Sequence, residues 1–161
     1  WTGQALLYGG FAVALGVFSR WPVYHPLPED MAQIKVSFIH HGARVAECRP
    51  YTAEEQAKMP PNMRKAEKCE RERSPVSIEV DIDGKTVLAH TSPPSGLSRD
   101  GASTLYQRLN VSAGQHQIAV RFKDNQKSEQ FTSQIDETVT LKPAQVLVID
   151  YSTDKGGIVL Q

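Results

Sequence analysis

The chain has 161 residues, and its 18 lysines and arginines balance its 18 aspartates and glutamates, so that the formal net charge is zero. A balanced charge without an arginine-rich stripe or an aromatic platform excludes the usual nucleic-acid-binding surfaces. The first ~30 residues differ in composition from the rest, and the remaining ~130 suffice for one domain with its own core.

The N-terminal segment is apolar, and no charged residue occurs in the 19 positions from Trp1 to Ser19. A helix of that length rises roughly 28 Å, close to the ~30 Å of a bilayer's hydrocarbon core. Arg20 and Trp21 follow the run, as interface side chains do beside membrane helices. We therefore predict a single transmembrane helix over residues 1–20. An uncleaved signal-like segment and a buried helix of the domain are the alternatives.

Small residues recur along one side of this predicted helix. They are spaced by four, three and four positions, which places them on one helical face. In lipid, small side chains let a second helix backbone approach closely, and the van der Waals contact drives association. We predict that this face docks the chain on a partner helix, and it consists of Ala5, Gly9, Ala12 and Gly16.

The two cysteines, Cys48 and Cys69, are expected to form a disulfide. Closing a loop of about 20 residues would stabilise the fold by roughly 3 kcal/mol. Two free buried thiols and a metal site are the alternatives. Between the cysteines, Thr52 and Glu55 have the spacing of a capping box, which predicts a short helix. We therefore predict a helical insertion over residues 49–74, tied at its base by the disulfide.

The segment WPVYHPLPED, residues 21–30, contains three prolines and predicts a stiff Pro-rich linker. Residues 31–161 then form the domain. Arg20 lies on the domain side of the apolar run, which weakly favours a cytoplasmic domain, whereas a disulfide favours export. We expect a single-pass protein of a bacterial inner membrane with its C-terminal domain in the periplasm.

The domain has the sequence pattern of short strands. In AQIKVSFIHH, residues 32–41, apolar and polar side chains alternate with the period of a half-buried strand. Asp83-Gly84 supplies a hairpin turn, and further turn residues separate the later apolar segments. This pattern predicts a mainly β fold, an Ig-like antiparallel β-sandwich with the short helical insertion.

Two segments resemble a known kind of domain. The order of strand and turn residues resembles that of PEGA-like and transthyretin-like sandwich repeats in LNVSAGQHQIAVRF, residues 109–122, and in TVTLKPAQVLVIDY, residues 138–151. In such repeats a small-Ala-Gly turn, followed by an aromatic residue or histidine, opens a strand that packs across the core. The resemblance covers roughly residues 76–151 and implies a PEGA-like sandwich of a kind that rarely carries catalysis. The insertion between the cysteines is not part of this pattern.

The sequence contains no motif that indicates nucleophilic catalysis. Ser98, Asp100 and His90 lie in or beside one polar loop, but no G-x-S-x-G elbow occurs. We therefore predict no enzyme activity, no catalytic residue and no cofactor. Asp81 and Asp83 precede a turn without further clustered carboxylates, so we expect them on a solvent-facing surface rather than in a calcium site.

Soft metal ligands near the cysteines indicate an alternative. Imidazole, thioether and thiolate groups select Cu(I), but neighbouring histidines on a strand point to opposite faces. We therefore assign no metal site, and we keep a membrane-anchored periplasmic copper or metal chaperone for an oxidase as an alternative. Besides the cysteines, its ligands would be His40, His41, Met59 and Met63.

Together these features predict a non-catalytic, single-span accessory subunit of a bacterial membrane complex that contributes to assembly or stability. An electron-transfer complex, respiratory or photosynthetic, is the expected host. The partners would be transmembrane helices of that complex and the lipid bilayer, with no nucleic acid. An envelope glycan-binding domain that uses residues 91–103 is a second alternative, although that loop offers no aromatic platform for a sugar ring.

Overall fold

The computed structural model describes residues 1–22 and 27–161, and it begins with the predicted N-terminal helix. Helix α1 spans Thr2–Phe18. Its last turn closes where the backbone N–H of Ser19 donates to the carbonyl oxygen of Leu15 at 2.9 Å. None of its residues is buried, so α1 contributes nothing to the core of the domain.

Helix α1 is shorter than the membrane span predicted over residues 1–20, since it has 17 residues. In the part of the chain that the structure describes, no helix combines the length and the apolar character needed to cross a membrane. The helix is therefore confirmed, and its role as a transmembrane span has no support. The linker predicted over residues 21–30 lies partly outside the described residues, which omit 23–26.

The domain is mainly β, as predicted, and its strands follow one another along the chain with short connections. They are β1 Met31–His40, β2 Arg49–Pro50, β3 Glu67–Lys68, β4 Val76–Ile82, β5 Lys85–Ser92, β6 Ser103–Ser112, β7 Gly114–Lys123, β8 Ser133–Leu141, β9 Val146–Ser152 and β10 Gly157–Leu160. Among the described residues, eight of these strands form two four-stranded sheets of order β10-β9-β1-β6 and β5-β4-β7-β8. The sheets pack face to face, which confirms a sandwich-like fold.

Strand β1 lies inside its sheet and has a different orientation toward each neighbour. It pairs antiparallel with β6, where Met31 is opposite Ser112. It pairs in parallel with β9, where Gln33 is opposite Val146. The prediction of an antiparallel sandwich is therefore wrong for this pair. The chain reaches β9 from β8, a strand of the other sheet, and this crossing rather than a hairpin sets the direction of β9.

The core lies between the two sheets and comes from the alternation along their strands. Strand β1 buries every second side chain, and β4 and β7 do the same in the facing sheet. The two sheets meet where the ring of Phe38 packs edge-to-face on Phe122, with centroids 5.3 Å apart. The buried hydrophobic residues that form this core lie in the sandwich strands: Ala32, Ile34, Val36, Phe38, Val76, Ile78, Val80, Ile82, Ile118, Val120, Phe122, Leu141, Leu147 and Ile149.

The sandwich has two distinct ends. At the linker end, where the chain enters β1, the Asp30 carbonyl accepts from the N–H of Ala113 at 2.8 Å and the Met31 carbonyl accepts from the N–H of Ala144 at 2.8 Å. The turns between β4 and β5, β6 and β7, and β8 and β9 all lie there. The opposite end, here called the far end, carries the insertion and the loops 93–102 and 124–132.

The insertion is only partly helical. Its helix α2 spans Ala53–Ala57, and the predicted capping box is present: the Glu55 N–H donates to Thr52 Oγ1 at 3.3 Å, and the Thr52 N–H donates to the Glu55 carboxylate at 3.1 Å. A 3₁₀ turn, Pro61–Met63, follows. Strands β2 and β3 pair antiparallel and bring the two ends of the insertion together.

Gly42→Ala is expected to destabilise the domain by about 1–3 kcal/mol, the usual cost of forcing extra volume into packed structure. The new Cβ would overlap the carbonyl oxygen of Ser74, which is backbone and cannot swing away. Urea unfolding, monitored by far-UV circular dichroism, measures the change in the free energy of unfolding. The matched control is Gly9→Ala in α1, where the new Cβ has no atom within 4 Å apart from the adjacent backbone of α1 itself. Equal unfolding midpoints for the two variants would contradict this account.

Candidate functional site: the N-terminal helix and the disulfide-tied far end

Helix α1 presents apolar side chains on all its sides. A helix that is hydrophobic all round is typical of one that is surrounded by apolar material. Fully burying one large aliphatic or aromatic side chain is worth about 1.5–3 kcal/mol, so burial of this surface by a partner would be strongly favourable. The large side chains left exposed on α1 are Leu6, Leu7, Tyr8, Phe11, Val13, Leu15, Val17 and Phe18.

The predicted docking face is open in the structure. The helical conformation places Ala5, Gly9, Ala12 and Gly16 on one side of α1. Apart from the adjacent backbone of α1 itself, a Cβ built on Gly9 or on Gly16 meets no atom within 4 Å. A second helix could therefore approach the α1 backbone closely along this face, and docking there stays a prediction.

The predicted disulfide is confirmed between Cys48 and Cys69, with an S–S distance of 2.02 Å. It closes the base of the insertion beside the β2–β3 pair. Ligand atoms of Glu67 and the two cysteines lie within 4.8 Å of one another. Because each sulfur is bonded to the other, neither is a free thiolate that could ligate a metal.

Ion pairs hold the insertion in place. The guanidinium of Arg49 donates to both carboxylate oxygens of Glu55, at 2.9 and 2.7 Å. These bonds, together with the backbone N–H of Thr52, lower the pKa of Glu55 to about 2. Arg71 pairs with Asp100 in the loop 93–102, so the insertion is attached to the neighbouring far-end loop.

The histidines and methionines of the metal alternative have separate environments. His40 Nε2 lies 2.8 Å from Asp124 Oδ2, and its ring packs edge-to-face on Tyr151 with centroids 4.6 Å apart. His41 and Met63 are exposed. Within the described ranges, neither histidine belongs to a group of three or more His, Cys, Asp or Glu ligands. Copper binding through His40 Nε2 would require that nitrogen to leave Asp124, and copper binding stays an alternative.

Sequence reasoning missed a histidine clamp at the linker end. His116 Nδ1 lies 2.7 Å from Asp83 Oδ2, and His116 Nε2 lies 2.9 Å from the carbonyl oxygen of Ser112. The backbone N–H of Gln117 also donates to Asp83, at 3.0 Å. The clamp joins the β4–β5 turn to the β6–β7 hairpin. Asp83 was expected to face solvent, and nothing in its local sequence indicates a partner so far along the chain.

Ser112, His116 and Asp83 are the three residue types of a Ser-His-Asp catalytic triad, but their hydrogen bonding differs from that of a triad. Ser112 Oγ lies 3.3 Å from His116 Nε2, farther than the Ser112 carbonyl oxygen at 2.9 Å. An Nε2–H that donates to that carbonyl cannot accept the hydroxyl proton, as a general base must. The bond to Asp83 raises the pKa of His116, and the bond from His116 lowers the pKa of Asp83. We therefore interpret the pair as a structural clamp.

Comparisons with known proteins do not extend these observations. The chain matches no family model, no curated protein and no solved structure. The PEGA-like resemblance of residues 76–151 therefore stays a prediction, and the proposals below rest on the sequence and the geometry.

The stability contributed by His116 is expected to fall as pH rises. Because Asp83 raises the folded-state pKa of His116, this stabilisation is complete below the unfolded-state pKa and is lost as pH increases through the folded-state pKa. Urea unfolding between pH 5 and pH 9 measures it. His116→Gln should flatten this part of the pH dependence, whereas His90→Gln on the exposed edge of β5 should leave it intact. An unchanged slope in His116→Gln would contradict the clamp.

Reduction of the disulfide is expected to loosen the insertion without unfolding the sandwich. Loss of roughly 3 kcal/mol of loop constraint corresponds to about a hundredfold faster amide exchange where the loop opens. Hydrogen–deuterium exchange with and without a dithiol reductant measures this in residues 49–68. The amides of β4 and β7 in the same sample are the internal control. Equal acceleration in insertion and sandwich would show that the disulfide supports the whole fold instead.

Proposed function

We propose that the chain is a non-catalytic accessory subunit of a bacterial membrane complex, attached by α1 to a membrane-embedded helix of a partner protein. The observation that carries the proposal is an uncharged, largely apolar helix that contributes no residue to the core of the domain. The described sandwich strands bury one another's apolar side chains. The apolar surface of α1 would therefore be covered by a molecule from outside the described chain.

The composition of α1 favours a protein helix as that occupant over lipid alone. Lipid chains pack against any apolar helix, whereas close helix–helix contact needs small residues along one side. Ala5, Gly9, Ala12 and Gly16 provide that side. Packing against a partner helix within the apolar layer does not require α1 to cross the membrane by itself.

The disulfide supports a location outside the cytosol. Cys48 is exposed, and disulfides persist in the periplasm and outside cells but are rare in the reducing cytosol. The domain would then cover a periplasmic surface of the complex and stabilise its assembly. An electron-transfer complex, respiratory or photosynthetic, remains the host class that we propose from the sequence interpretation.

The proposal is tested by purifying the tagged full chain from its native membranes in a mild detergent. Mass spectrometry identifies its companions, and an optical spectrum detects haem or chlorophyll. Co-purification at fixed stoichiometry with pigment-bearing subunits supports the full proposal. A fixed partner without pigment supports the accessory role and contradicts the electron-transfer host. Recovery of the chain alone contradicts both.

Gly9→Leu and Gly16→Leu are each expected to reduce the co-purified partner at least tenfold, because a leucine on the small face keeps the two backbones apart. The matched control is Gly10→Leu. It makes the same change one position along, about 100° around the helix from Gly9. All three sites are open within the chain, so folding of the domain is not at issue. Equal co-purification of all three variants would contradict docking by this face.

A further inference from the structure

The outer face of the β5-β4-β7-β8 sheet carries a fixed polar network around Arg121. The guanidinium donates to Glu79 at 2.9 Å and lies 2.8 Å from the Asp81 carboxylate on the same neighbouring strand. The Asp81 side chain is only 17% exposed although it points away from the core. The hydroxyl of Thr86 and the guanidinium of Arg121 both lower the pKa of Asp81, so the carboxylate stays ionised.

A wall formed by the loop 124–132 rises above this face. The side-chain amide of Gln126 donates to the Pro75 carbonyl and to Ser77 Oγ, both at 3.3 Å, which attaches the loop to β4. Farther along the loop, the ring of Phe131 stands 5.9 Å from the Arg121 guanidinium and remains 41% exposed. The loop therefore adds an aromatic side wall to a sheet face that would otherwise be flat.

Two hollows lie on this face, and Arg121 lines both of them. The first has a volume of about 390 Å³ between the strands and the loop, and the second has a volume of about 360 Å³ on the β8 side. The small side chain of Ala89 lines the first hollow, and that of Ala119 lines the second. Because Arg121 lines both hollows, the two are here called, together, the Arg121 groove.

The lining of the Arg121 groove has a small excess of negative charge. Arg121, which lines both hollows, and Lys123 oppose the carboxylates of Glu79, Glu129 and Asp136. A groove with this balance does not favour an acidic ligand. Its planar guanidinium, carboxylate and amide groups instead offer paired donors and acceptors at fixed positions. Such pairs match the adjacent hydroxyl groups of a sugar.

We propose that the Arg121 groove binds a neutral, linear oligosaccharide. Phe131 supplies the apolar surface on which the C–H face of a sugar ring packs, and the polar groups of Arg121, Gln134 and Asp136 bind its hydroxyls. The missing aromatic platform was the argument against the loop 91–103 as a glycan site. The structure places an aromatic ring beside the sheet face instead. This site is independent of α1 and of the accessory role.

The opposite sheet provides a matched control. Tyr106 and Arg108 on β6 also pair an aromatic ring with a guanidinium, at 5.3 Å, and Tyr106 is 53% exposed. The Arg108 Nε–H donates to the Tyr106 hydroxyl at 2.8 Å. Neither residue lines the two hollows of the Arg121 groove. The Tyr106–Arg108 pair is therefore a control for an exposed aromatic side chain that does not line the groove.

The test titrates cellohexaose, maltohexaose and chitohexaose into the full chain by isothermal calorimetry, in a detergent without a sugar headgroup. At least one hexasaccharide is expected to bind with a Kd in the micromolar to low millimolar range. Phe131→Ala and Gln134→Ala should each weaken that binding at least tenfold, and Tyr106→Ala should leave it unchanged. Thermal unfolding of each variant verifies its fold.

Failure of all three hexasaccharides to bind at millimolar concentration would overturn the proposal. Binding that survives both Phe131→Ala and Gln134→Ala would also overturn it, because the sugar would then lie elsewhere. Since partner co-purification is measured separately, neither result bears on the accessory role.

Discussion

Burial of one face of β1 between the two sheets is the constraint on which the rest of the structure depends. The inward side chains from Ala32 to Phe38 are all in the core, and the strand is held on both sides by β6 and β9. A shift of its register by one residue would exchange these side chains for Lys35 and Ser37. Because β1 follows directly after the linker, this single register fixes where the chain enters the sandwich and leaves α1 outside.

The two ends of the domain, at opposite ends of β1, are stabilised by different interactions. At the linker end, the main-chain bonds of Asp30 and Met31 and the His116–Asp83 clamp connect adjacent turns beside the start of β1. At the far end, the disulfide and its ion pairs stabilise a segment that contributes nothing to the core. The Arg121 groove lies on the side of the sandwich. The proposed attachment by α1, the stabilisation of the insertion and the proposed sugar binding therefore depend on separate parts of the chain.

Local sequence patterns predicted the features that depend on residues close together in the sequence or on a single residue pair. Alternation predicted β1, the Thr52–Glu55 spacing predicted the cap of α2, and the cysteine pair predicted the disulfide; the structure has all three. The apolar run predicted α1 as a helix but overestimated its length. A run of uncharged residues does not show where a helix ends, and α1 ends at Phe18.

Features that depend on strand register could not be predicted from single segments. The parallel pairing of β1 with β9 joins strands at opposite ends of the domain sequence. His116 meets Asp83 from 33 positions away, and Arg121 meets Glu79 from 42 positions away. Both side-chain contacts depend on the pairing of β4 with β7 in one register. Asp81 and Asp83, which were expected on a solvent-facing surface, therefore have partners in Arg121 and His116 that local sequence does not reveal.

The most direct test of the central claim is photo-crosslinking from α1 in native membranes. A photoreactive phenylalanine analogue at Tyr8 replaces one exposed aromatic side chain by another beside the small-residue face. The account predicts one dominant crosslink to a membrane protein, at a mass that is the same in repeated preparations. Crosslinks confined to lipid, or to the chain's own sandwich, would contradict the claim that α1 is covered by a partner.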